Sequence, residues 1–457
     1  MAYESVKDLM TAICNEVRRI KNISDLIPHQ DIPELLAGAG GTVEGSCKIE
    51  VRLVKKGTDI LIHDLITIYG PTGMSWSFPL PEISGYKTYE DIDLISDIVS
   101  GDEVIRVEFI KTSSEGLVYI VVTDDTTGET YAICGTDTTA KNNAIGTCTD
   151  TEISIANEYE GNTVKIIGQS AFYGNTNITG VTIPNGVEMI KTNAFNSCSA
   201  LENVDLPKNC TLSGSSFANC DSLKRIFIPI GTKTTSSAYG PFSSSTSNKT
   251  LETVEFENGI TVIPTRLLYK CDNIKSVTIP SSVSVIENDA FRSCSALENV
   301  DLPKNCTLSG SSFANCDSLK RIFIPIGTKT TSSTYGPFST STNNKTLETV
   351  EFENGITVIP TNLLYKCNNI KSVTIPYSVS VIENNAFNGC PIEGTITLGG
   401  VGHPVTSIGS NAFKNSITTA IEVYVADGVT SLRNQPWGAS VASVTYRSAV
   451  TGEIVSA

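Results

Sequence analysis

The sequence predicts an α+β chain that is mostly β: a small β-rich domain and an N-terminal helical segment precede a long solenoid of stacked repeats. Two observations predict the solenoid. A block of 96 residues occurs twice in tandem, at 199–294 and 295–390, and the copies differ at only nine positions. Inside each block, the framework L-x-x-V-x-(I/L/F) recurs at intervals of 22 to 28 residues. Repeats of this length stack, because one repeat cannot bury its apolar face alone.

The N-terminal segment, residues 1–40, is predicted to be helical. Its apolar residues Val6, Leu9, Met10, Ile13, Val17 and Ile20 fall on one helical stripe, and Ser5 is a suitable N-cap. The stretch from LMTAICNEV to ELLAG, at 9–38, resembles N-terminal segments of prophage tail-fibre and receptor-binding proteins. That resemblance implies attachment to an assembly partner, or homo-oligomerisation, through residues 1–36. A helical cap on the next domain is the alternative.

Residues 43–134 predict a small β module. KIEVRLV and EVIRVEFI alternate apolar and polar residues, and 116–134 predict a hairpin with Asp124, Asp125 and Gly128 in its turn. The strand order and the ISGY motif resemble a MucBP-type β-grasp module, although Val107 and Phe109 replace its final tyrosines. The resemblance implies a mucin glycan as ligand. Residues 135–150 are small and polar, and predict a linker.

The stretch from Glu82 to Glu108 is acidic, with eight acids and two bases. It contains no 12-residue loop with the oxygen spacing of a calcium site. We therefore expect a solvated acidic face, with calcium binding as the alternative.

Residues 151–430 form the predicted solenoid. In LENVDLP, Leu201, Val204 and Leu206 should point into the core and Asn203 and Asp205 outward, because side chains of a strand alternate between faces. If these strands stack in one continuous parallel sheet, Val204 and its equivalent Val300 lie about 19 Å apart, four spacings of about 4.8 Å. Residues 431–457, with Trp437 and the strand SVTYRSAV, predict a C-terminal cap.

The repeats also resemble a known family. Segments such as SVSVIENDAFRSCSALENVDLP and EGNTVKIIGQSAFYGNTNITGVTIP resemble BspA-like, treponemal-type leucine-rich repeats of bacterial surface proteins, roughly over 151–430. The resemblance implies a leucine-rich repeat solenoid, an extracellular location, and a role in adhesion or recognition with no catalytic residues.

Nine of the thirteen cysteines are explained by the repeat. Cys210 and Cys306 are equivalent to each other, and seven more share one coil position: Cys198, Cys220, Cys271, Cys294, Cys316, Cys367 and Cys390. We expect buried thiols rather than disulfides. The chain has no C-x-x-C pair and its three histidines are far apart, so we expect no metal site and no cofactor.

The net charge limits the classes of binding partner that we expect. A net charge of −15 argues against nucleic acid and anionic membranes, which need a basic patch. No stretch approaches the roughly 20 apolar residues of a membrane span, so we expect no membrane insertion. A glycan or protein ligand on a surface is the expected partner. The N-terminus lacks the apolar core of a signal peptide, so either the signal has been removed or the protein leaves the cell another way, for instance within a phage particle.

The candidate ligand-binding residues lie on the outward strand positions. Motifs of serine hydrolases, metalloproteases and P-loop enzymes are missing, which predicts a non-enzymatic protein. An arginine beside a phenylalanine, with acids on both neighbouring rungs, is typical of recognition sites. The two copies are Asp205, Arg225, Phe227 and Glu255, and Asp301, Arg321, Phe323 and Glu351.

The long Ser/Thr-rich loops at 231–250 and 327–346 add Tyr239 and Tyr335 as candidates. Phe242 and Phe338 in the same loops are expected in the core. The alternative for Phe227 and Phe323 is that they only cover the sheet beneath these loops. The sequence thus predicts an adhesin or a phage receptor-binding fibre, with a structural spacer as the competing function.

Overall fold

The computed structural model describes residues 46–55, 66–71, 75–79, 86–88, 94–98, 103–111, 113–235, 237–245, 248–331, 334–340, 344–441 and 443–455. The chain divides into two compact units, Met1–Ser114 and Glu115–Ala457. The helices predicted within residues 1–40 lie outside the described residues. Strands are numbered in chain order.

The first unit contains a mixed sheet. Its strands are β1 (Ser46–Lys55), β2 (Ile66–Pro71), β3 (Ser75–Pro79), β4 (Tyr86–Thr88), β5 (Leu94–Ile98) and β6 (Glu103–Lys111). One sheet has the order β2-β1-β6-β4, with β1 and β6 parallel, and β3 pairs separately with β5. Val51 and Leu53 are buried and Arg52 is exposed, so β1 alternates as predicted.

The second unit begins with the predicted hairpin. Strand β7 (Tyr119–Thr123) pairs antiparallel with β8 (Thr130–Cys134), and the amides of Thr126 and Thr127 donate to the Asp124 carboxylate at 2.8 Å each. The hairpin itself is confirmed.

The boundary predicted at residue 134 differs from the structure. Strand β8 pairs in parallel with β11 (Asn162–Ile167), and Ala144 and Cys148 of the predicted linker are buried. The reason is that the first coil of a stack has an open apolar end, and the hairpin and residues 135–150 cover it. They therefore belong to the solenoid unit.

Each coil carries two strands on different faces. The first sheet contains the strands of the framework repeat: β9 (Glu152–Ser154), β12 (Gly180–Thr182), β14 (Asn203–Asp205), β16 (Arg225–Ile228), β18 (Thr253–Phe256), β20 (Ser276–Thr278), β22 (Asn299–Asp301), β24 (Arg321–Ile324) and β26 (Thr349–Phe352). The predicted alternation is confirmed: in β14 and β22 only the central valine is buried. Residues 370–376, predicted as a further strand, are described but have no strand assignment.

The second sheet was not predicted. After β11 its strands have two residues each: β13 (Met189–Ile190), β15 (Thr211–Leu212), β17 (Lys233–Thr234), β19 (Val262–Ile263), β21 (Val285–Ile286), β23 (Thr307–Leu308), β25 (Lys329–Thr330), β27 (Val358–Ile359), β28 (Val381–Ile382) and β30 (Ser407–Ile408). Their pairing is parallel, and β10 (Glu158–Tyr159) adds an antiparallel pair with β11. A two-residue strand is too short to show a period in the sequence.

The expectation of one continuous first sheet is wrong. Its hydrogen-bonded ladders are β9-β12-β14, β16-β18, β20-β22 and β24-β26, so Val204 and Val300 lie in separate ladders. The breaks do not follow coil length. Strands β16 and β18 are paired although their framework repeats start 28 residues apart, at 223 and 251. Strands β14 and β16 are unpaired although theirs start only 22 residues apart, at 201 and 223. The second sheet has three ladders of its own, from β8 to β17, from β19 to β25 and from β27 to β30. Its breaks fall where the first sheet is paired, so the two sheets and the common core together keep the coils stacked.

The core is one continuous cluster along the unit. Fully buried phenylalanines stack from coil to coil, with ring centroids 4.9 Å apart for Phe172 and Phe195 and 5.1 Å apart for Phe195 and Phe217. At the C-terminal end, β29 (Glu393–Leu398), β31 (Ile417–Val425) and β32 (Ser443–Ser448) form a parallel sheet. The buried Trp437 lies in the same region, and its indole N–H donates to the Arg433 carbonyl at 2.8 Å.

Candidate ligand-binding site

The two predicted phenylalanines lie exposed on the first sheet. Strand β16 alternates exposed and buried residues, so Ile226 and Ile228 pack inward while Arg225 and Phe227 face outward. Phe227 is 46% exposed and its twin Phe323 is 44% exposed. The Ser/Thr-rich loops therefore do not bury these two rings.

An ion pair accompanies each phenylalanine. In the ladder between β16 and β18, Phe227 lies opposite Glu255, and Arg225 lies opposite Thr253. Arg225 reaches diagonally to Glu255, with Nη2 2.6 Å from Oε1, and Arg321 reaches Glu351 at 2.5 Å in the second block. Exposed pairs of this kind contribute only about 0–1 kcal/mol, so their main effect is to orient the two charges.

The structure thus brings together arginine, phenylalanine and glutamate in each block. We call these two groups the Arg–Phe–Glu patches: Arg225, Phe227 and Glu255, and Arg321, Phe323 and Glu351. The predicted acids Asp205 and Asp301 are exposed on β14 and β22, across the breaks from β16 and β24.

The long loops lie elsewhere on the coil. Lys233–Thr234 within the first loop forms β17 of the second sheet, and Phe242 is fully buried with its ring 5.8 Å from that of Phe217. Phe338 is buried in the same way, so the prediction of core positions for both is confirmed. Tyr239 is 37% exposed and Tyr335 is half-buried.

A family model decides the class of the solenoid. The model of the BspA type leucine-rich repeat region matches six copies, at residues 138–249, 240–345 and 327–420. The chain belongs to the BspA-type leucine-rich repeat family. The resemblance seen in the repeats is confirmed, and the match begins within residues 135–150, which were predicted as a linker.

Several solved structures are similar to this BspA-type chain. A leucine-rich repeat protein from Bacteroides ovatus is 18% identical over 71% of this chain and 98% of its own, with a TM-score of 0.30. A leucine-rich cell surface protein from Faecalibacterium prausnitzii is 19% identical over 72% and 93%, with a TM-score of 0.32. The pneumococcal vaccine antigen PcpA is 15% identical over 73% and 84%, with a TM-score of 0.38. No curated protein matches the sequence.

A row of alternating charges borders the patches of this BspA-type array, and it was not noticed in the sequence. From the framework repeat at 201 onward, the residue after the first apolar position is exposed and alternates in sign: Glu202, Lys224, Glu252, Lys275, Glu298, Lys320, Glu348 and Lys371. Within the ladders β16-β18, β20-β22 and β24-β26, a glutamate of the row bonds to the lysine before it, as Glu252 N–H does to the Lys224 carbonyl at 2.8 Å. Opposite charges on adjacent strands stabilise the pairing. The row is electrically balanced, although the whole chain has a net charge of −15.

Eleven cysteines of the solenoid unit, from Cys134 to Cys390, are buried and unpaired, as predicted. Burial raises the pKa of Cys198 and of Cys316 to about 12. Across the described residues, no group of three or more His, Cys, Asp and Glu side chains is arranged to hold a metal ion. The side chains of the acidic stretch 82–108 lie outside the described set. No helix in the described part of the chain has the length and apolar character needed to cross a bilayer.

Proposed function

We propose that this BspA-type protein is a non-enzymatic recognition protein that binds a glycan or protein ligand on a surface, through the outward face of the first sheet. The observation that carries the proposal is the Arg–Phe–Glu patch. It occurs twice, four coils apart, with matching exposure and the same ion pair.

The chemistry of the patch supports a binding role. Aromatic rings and arginines are enriched among the residues that dominate interface energies. A single exposed apolar side chain is ordinary on a protein surface. Here, in both blocks, an arginine that is paired with glutamate lies two residues from the ring on the same face of the strand. A ligand with a repeating structure, such as a polysaccharide, could occupy both patches at once and gain avidity.

The test removes the patches one at a time. Arg225→Ala with Phe227→Ala should weaken binding to cells or glycan arrays modestly, and adding Arg321→Ala with Phe323→Ala should remove most of it. Thr278→Ala with Thr374→Ala is the matched control, because both threonines belong to the same outward column on other rungs. Its binding should equal that of the wild type. A quadruple variant that binds like the wild type rules out the patches.

A structural spacer is the second candidate. The regular coil stack supports it, because a solenoid holds its ends apart whatever its outward side chains are. A spacer predicts that display of an attached domain depends on the number of coils and is unchanged in the quadruple variant.

The remaining chain suggests how such a protein reaches its surface. We infer that residues 1–36 attach it to an assembly partner or to further copies of itself, in a virion or at a bacterial surface, and that it acts outside the cell. A β-grasp-like, MucBP-like module that binds mucin glycan is compatible with the parallel pairing of β1 and β6 in the middle of the first unit's sheet. Binding of purified mucin by residues 43–114 alone tests that module.

A further inference from the structure

An open groove lies on the outward face of the second sheet, near the N-terminal end of the solenoid unit. Its volume is about 760 Å³, within the roughly 300–1,000 Å³ typical of ligand clefts. The turn of the β7–β8 hairpin contributes Asp124 and Glu129, β8 contributes Tyr131, and the coils contribute Ile166, Met189 and Thr211. The groove is on a different sheet from the Arg–Phe–Glu patches.

A three-residue charged row crosses the groove. Lys165 Nζ lies 2.7 Å from Glu129 Oε1 and 3.5 Å from Glu188 Oε1. The hydrogen bond to Glu129 raises the pKa of Lys165. Both carboxylates are more than half exposed, so their outer oxygens can accept further hydrogen bonds from a bound molecule.

The charged row is not a requirement of the coil. In the next segment of the second sheet, Val262 and Val285 pair as Ile166 and Met189 do here. Thr261 and Ser284 therefore stand where the groove has Lys165 and Glu188, and the Ser284 amide donates to the Thr261 carbonyl as the Glu188 amide does to that of Lys165. The coil accepts short hydroxyl side chains at these two positions, so the fold itself does not require Lys165 and Glu188.

A ligand in the groove can contact side chains, but it cannot pair with the backbone of the strands. Strands β8, β11, β13 and β15 are each hydrogen-bonded to a neighbour on both sides, so an extended peptide cannot add to them by backbone pairing. What remains is a half-buried tyrosine ring, the thioether of Met189, and carboxylate, ammonium, amide and hydroxyl groups around them.

The charges of the groove are opposed locally. Lys165 lies between two carboxylates, and Lys208 at the far end is held by Glu257 at 2.6 Å. With Asp124 and Lys233, the described lining holds three acids and three lysines, so its formal charges cancel and do not favour a strongly charged ligand.

We propose that this groove is a binding site for an uncharged oligosaccharide, separate from the patches of the first sheet. Tyr131 and Met189 supply apolar contact for the faces of the sugar rings. Glu129, Lys165 and Glu188 supply hydrogen bonds to the sugar hydroxyls. A ligand rich in hydroxyls and free of charge matches both properties.

Met189 reports occupancy directly, because it is one of only four methionines. Full-length protein labelled with ¹³C at the methionine methyls is titrated with maltohexaose, mannohexaose, xylohexaose and chitohexaose, and the Met189 signal is assigned with Met189→Leu. We expect at least one neutral sugar to shift this signal in a saturable way. If none does, or if the shift occurs only with a mixture of unrelated hexapeptides or a sialylated sugar, the proposal is wrong.

Variants taken from the chain itself complete the test. Lys165→Thr with Glu188→Ser copies the residues of the next sheet segment, so the fold should persist, and Kd for the sugar should rise about tenfold, as loss of one or two charged hydrogen bonds predicts. Tyr131→Ala should weaken binding to a similar degree. Arg225→Ala with Phe227→Ala should leave Kd unchanged, which separates this site from the proposed function. An unchanged Kd in the Lys165→Thr, Glu188→Ser variant overturns the proposal.

Discussion

The coil thiols bond from one coil to the next. The Cys198 thiol donates to the Phe172 carbonyl at 3.0 Å, and the Cys220 thiol to the Phe195 carbonyl at 3.2 Å, in each case a carbonyl of the preceding coil. A small apolar side chain with a weak donor fits this position, since the carbonyl would otherwise be buried without that partner. The cysteines therefore serve packing, and their reactivity is suppressed by burial.

Burial of the thiols predicts a loss of stability at alkaline pH. The folded-state pKa of Cys198 and of Cys316 is about 12, above the ordinary value of 9.0. The stabilisation is complete below about pH 9 and is lost as pH rises toward 12, because the unfolded chain releases protons that the folded chain retains. Each such thiol should lower the free energy of unfolding by about 1.4 kcal/mol between pH 8 and pH 10.

Urea unfolding under reducing conditions at the two pH values measures this effect. Cys198→Ala with Cys316→Ala should reduce the drop in free energy by roughly 3 kcal/mol, whatever the variant costs at pH 8. Thiol titration should find both residues unreactive in the native protein and reactive after denaturation. An equal drop in wild type and variant would contradict the prediction.

At the scale of single residues, the sequence predicted which side chains point inward and which point outward along a strand. The inward Val204, the outward Phe227 and the core Phe242 follow from the period of a strand and the spacing of a coil. The groove around Tyr131 was missed. Lys165 and Glu129 are 36 residues apart, and they meet only because the hairpin closes the end of the stack. No local signal carries that information.

The turns after the second sheet are the elements in which the two blocks differ most. Each turn holds residues with positive φ four positions apart, such as Arg266 and Lys270, or Asp289 and Ser293. In the second block, Asn362 and Asn385 stand in for Arg266 and Asp289, and asparagine adopts this backbone conformation more readily than arginine. Gly389 replaces Ser293 for the same reason.

Two of these substitutions and a third, Asn388 in place of Arg292, form one linked set. Asp289 accepts from Arg266 at 3.1 Å and from Arg292 at 3.2 Å, and its side chain is only 11% exposed. In the second block the set becomes Asn362, Asn385 and Asn388, and the Asn388 amide donates to Asn385 at 2.9 Å. The ionic cluster of the first block thus corresponds to a neutral cluster in the second.

Because these three side chains interact, we predict that Asp289→Asn alone lowers the free energy of unfolding by more than the three substitutions together. Asp289→Asn leaves two arginines without their carboxylate, and should lower the free energy of unfolding by roughly 1–3 kcal/mol. Arg266→Asn, Asp289→Asn and Arg292→Asn combined recreate the arrangement of the second block, and should stay within about 1 kcal/mol of the wild type. Urea unfolding of both variants measures the difference. Asn385→Asp is the control. It places a carboxylate where no arginine is available, and should lower the free energy of unfolding. A triple variant less stable than Asp289→Asn alone would refute the linkage.

At the scale of the elements, strands of the framework repeat were predictable and their pairing was not. Residues 201–207 give a clear strand pattern, but nothing in that pattern shows that β14 pairs with β12 and not with β16. The two-residue strands of the second sheet exist because coil closure places them side by side, which no window of sequence reveals.

The division of the whole molecule after Ser114 predicts that the solenoid unit folds without the N-terminal part. Each coil depends on its neighbours, and the hairpin and residues 135–150 already cover its first coil. Deletion of residues 1–36 should leave the thermal unfolding of the solenoid unchanged and abolish oligomers or assembly, as measured by circular dichroism and light scattering. Loss of the solenoid's unfolding transition would instead mean that these residues act as a cap.

The whole-molecule prediction from sequence was right about the array and wrong about where it starts. The 96-residue repeat made the solenoid evident. The hairpin was assigned to the preceding module because residues 135–150 have the composition of a linker, and composition does not show that Ala144 and Cys148 are buried.

The first 96-residue block, 199–294, is joined to the coil before it and to the coil after it by equivalent strand pairings. Strand β12 meets β14 with Val181 opposite Val204, and β20 meets β22 with Val277 opposite Val300. A genetic crossover between the near-identical halves therefore removes or inserts one whole block and leaves every junction with pairings that the fold already uses. Array length is thus open to change by recombination within the gene, and the number of Arg–Phe–Glu patches that one chain carries changes with it, with no new fold to evolve.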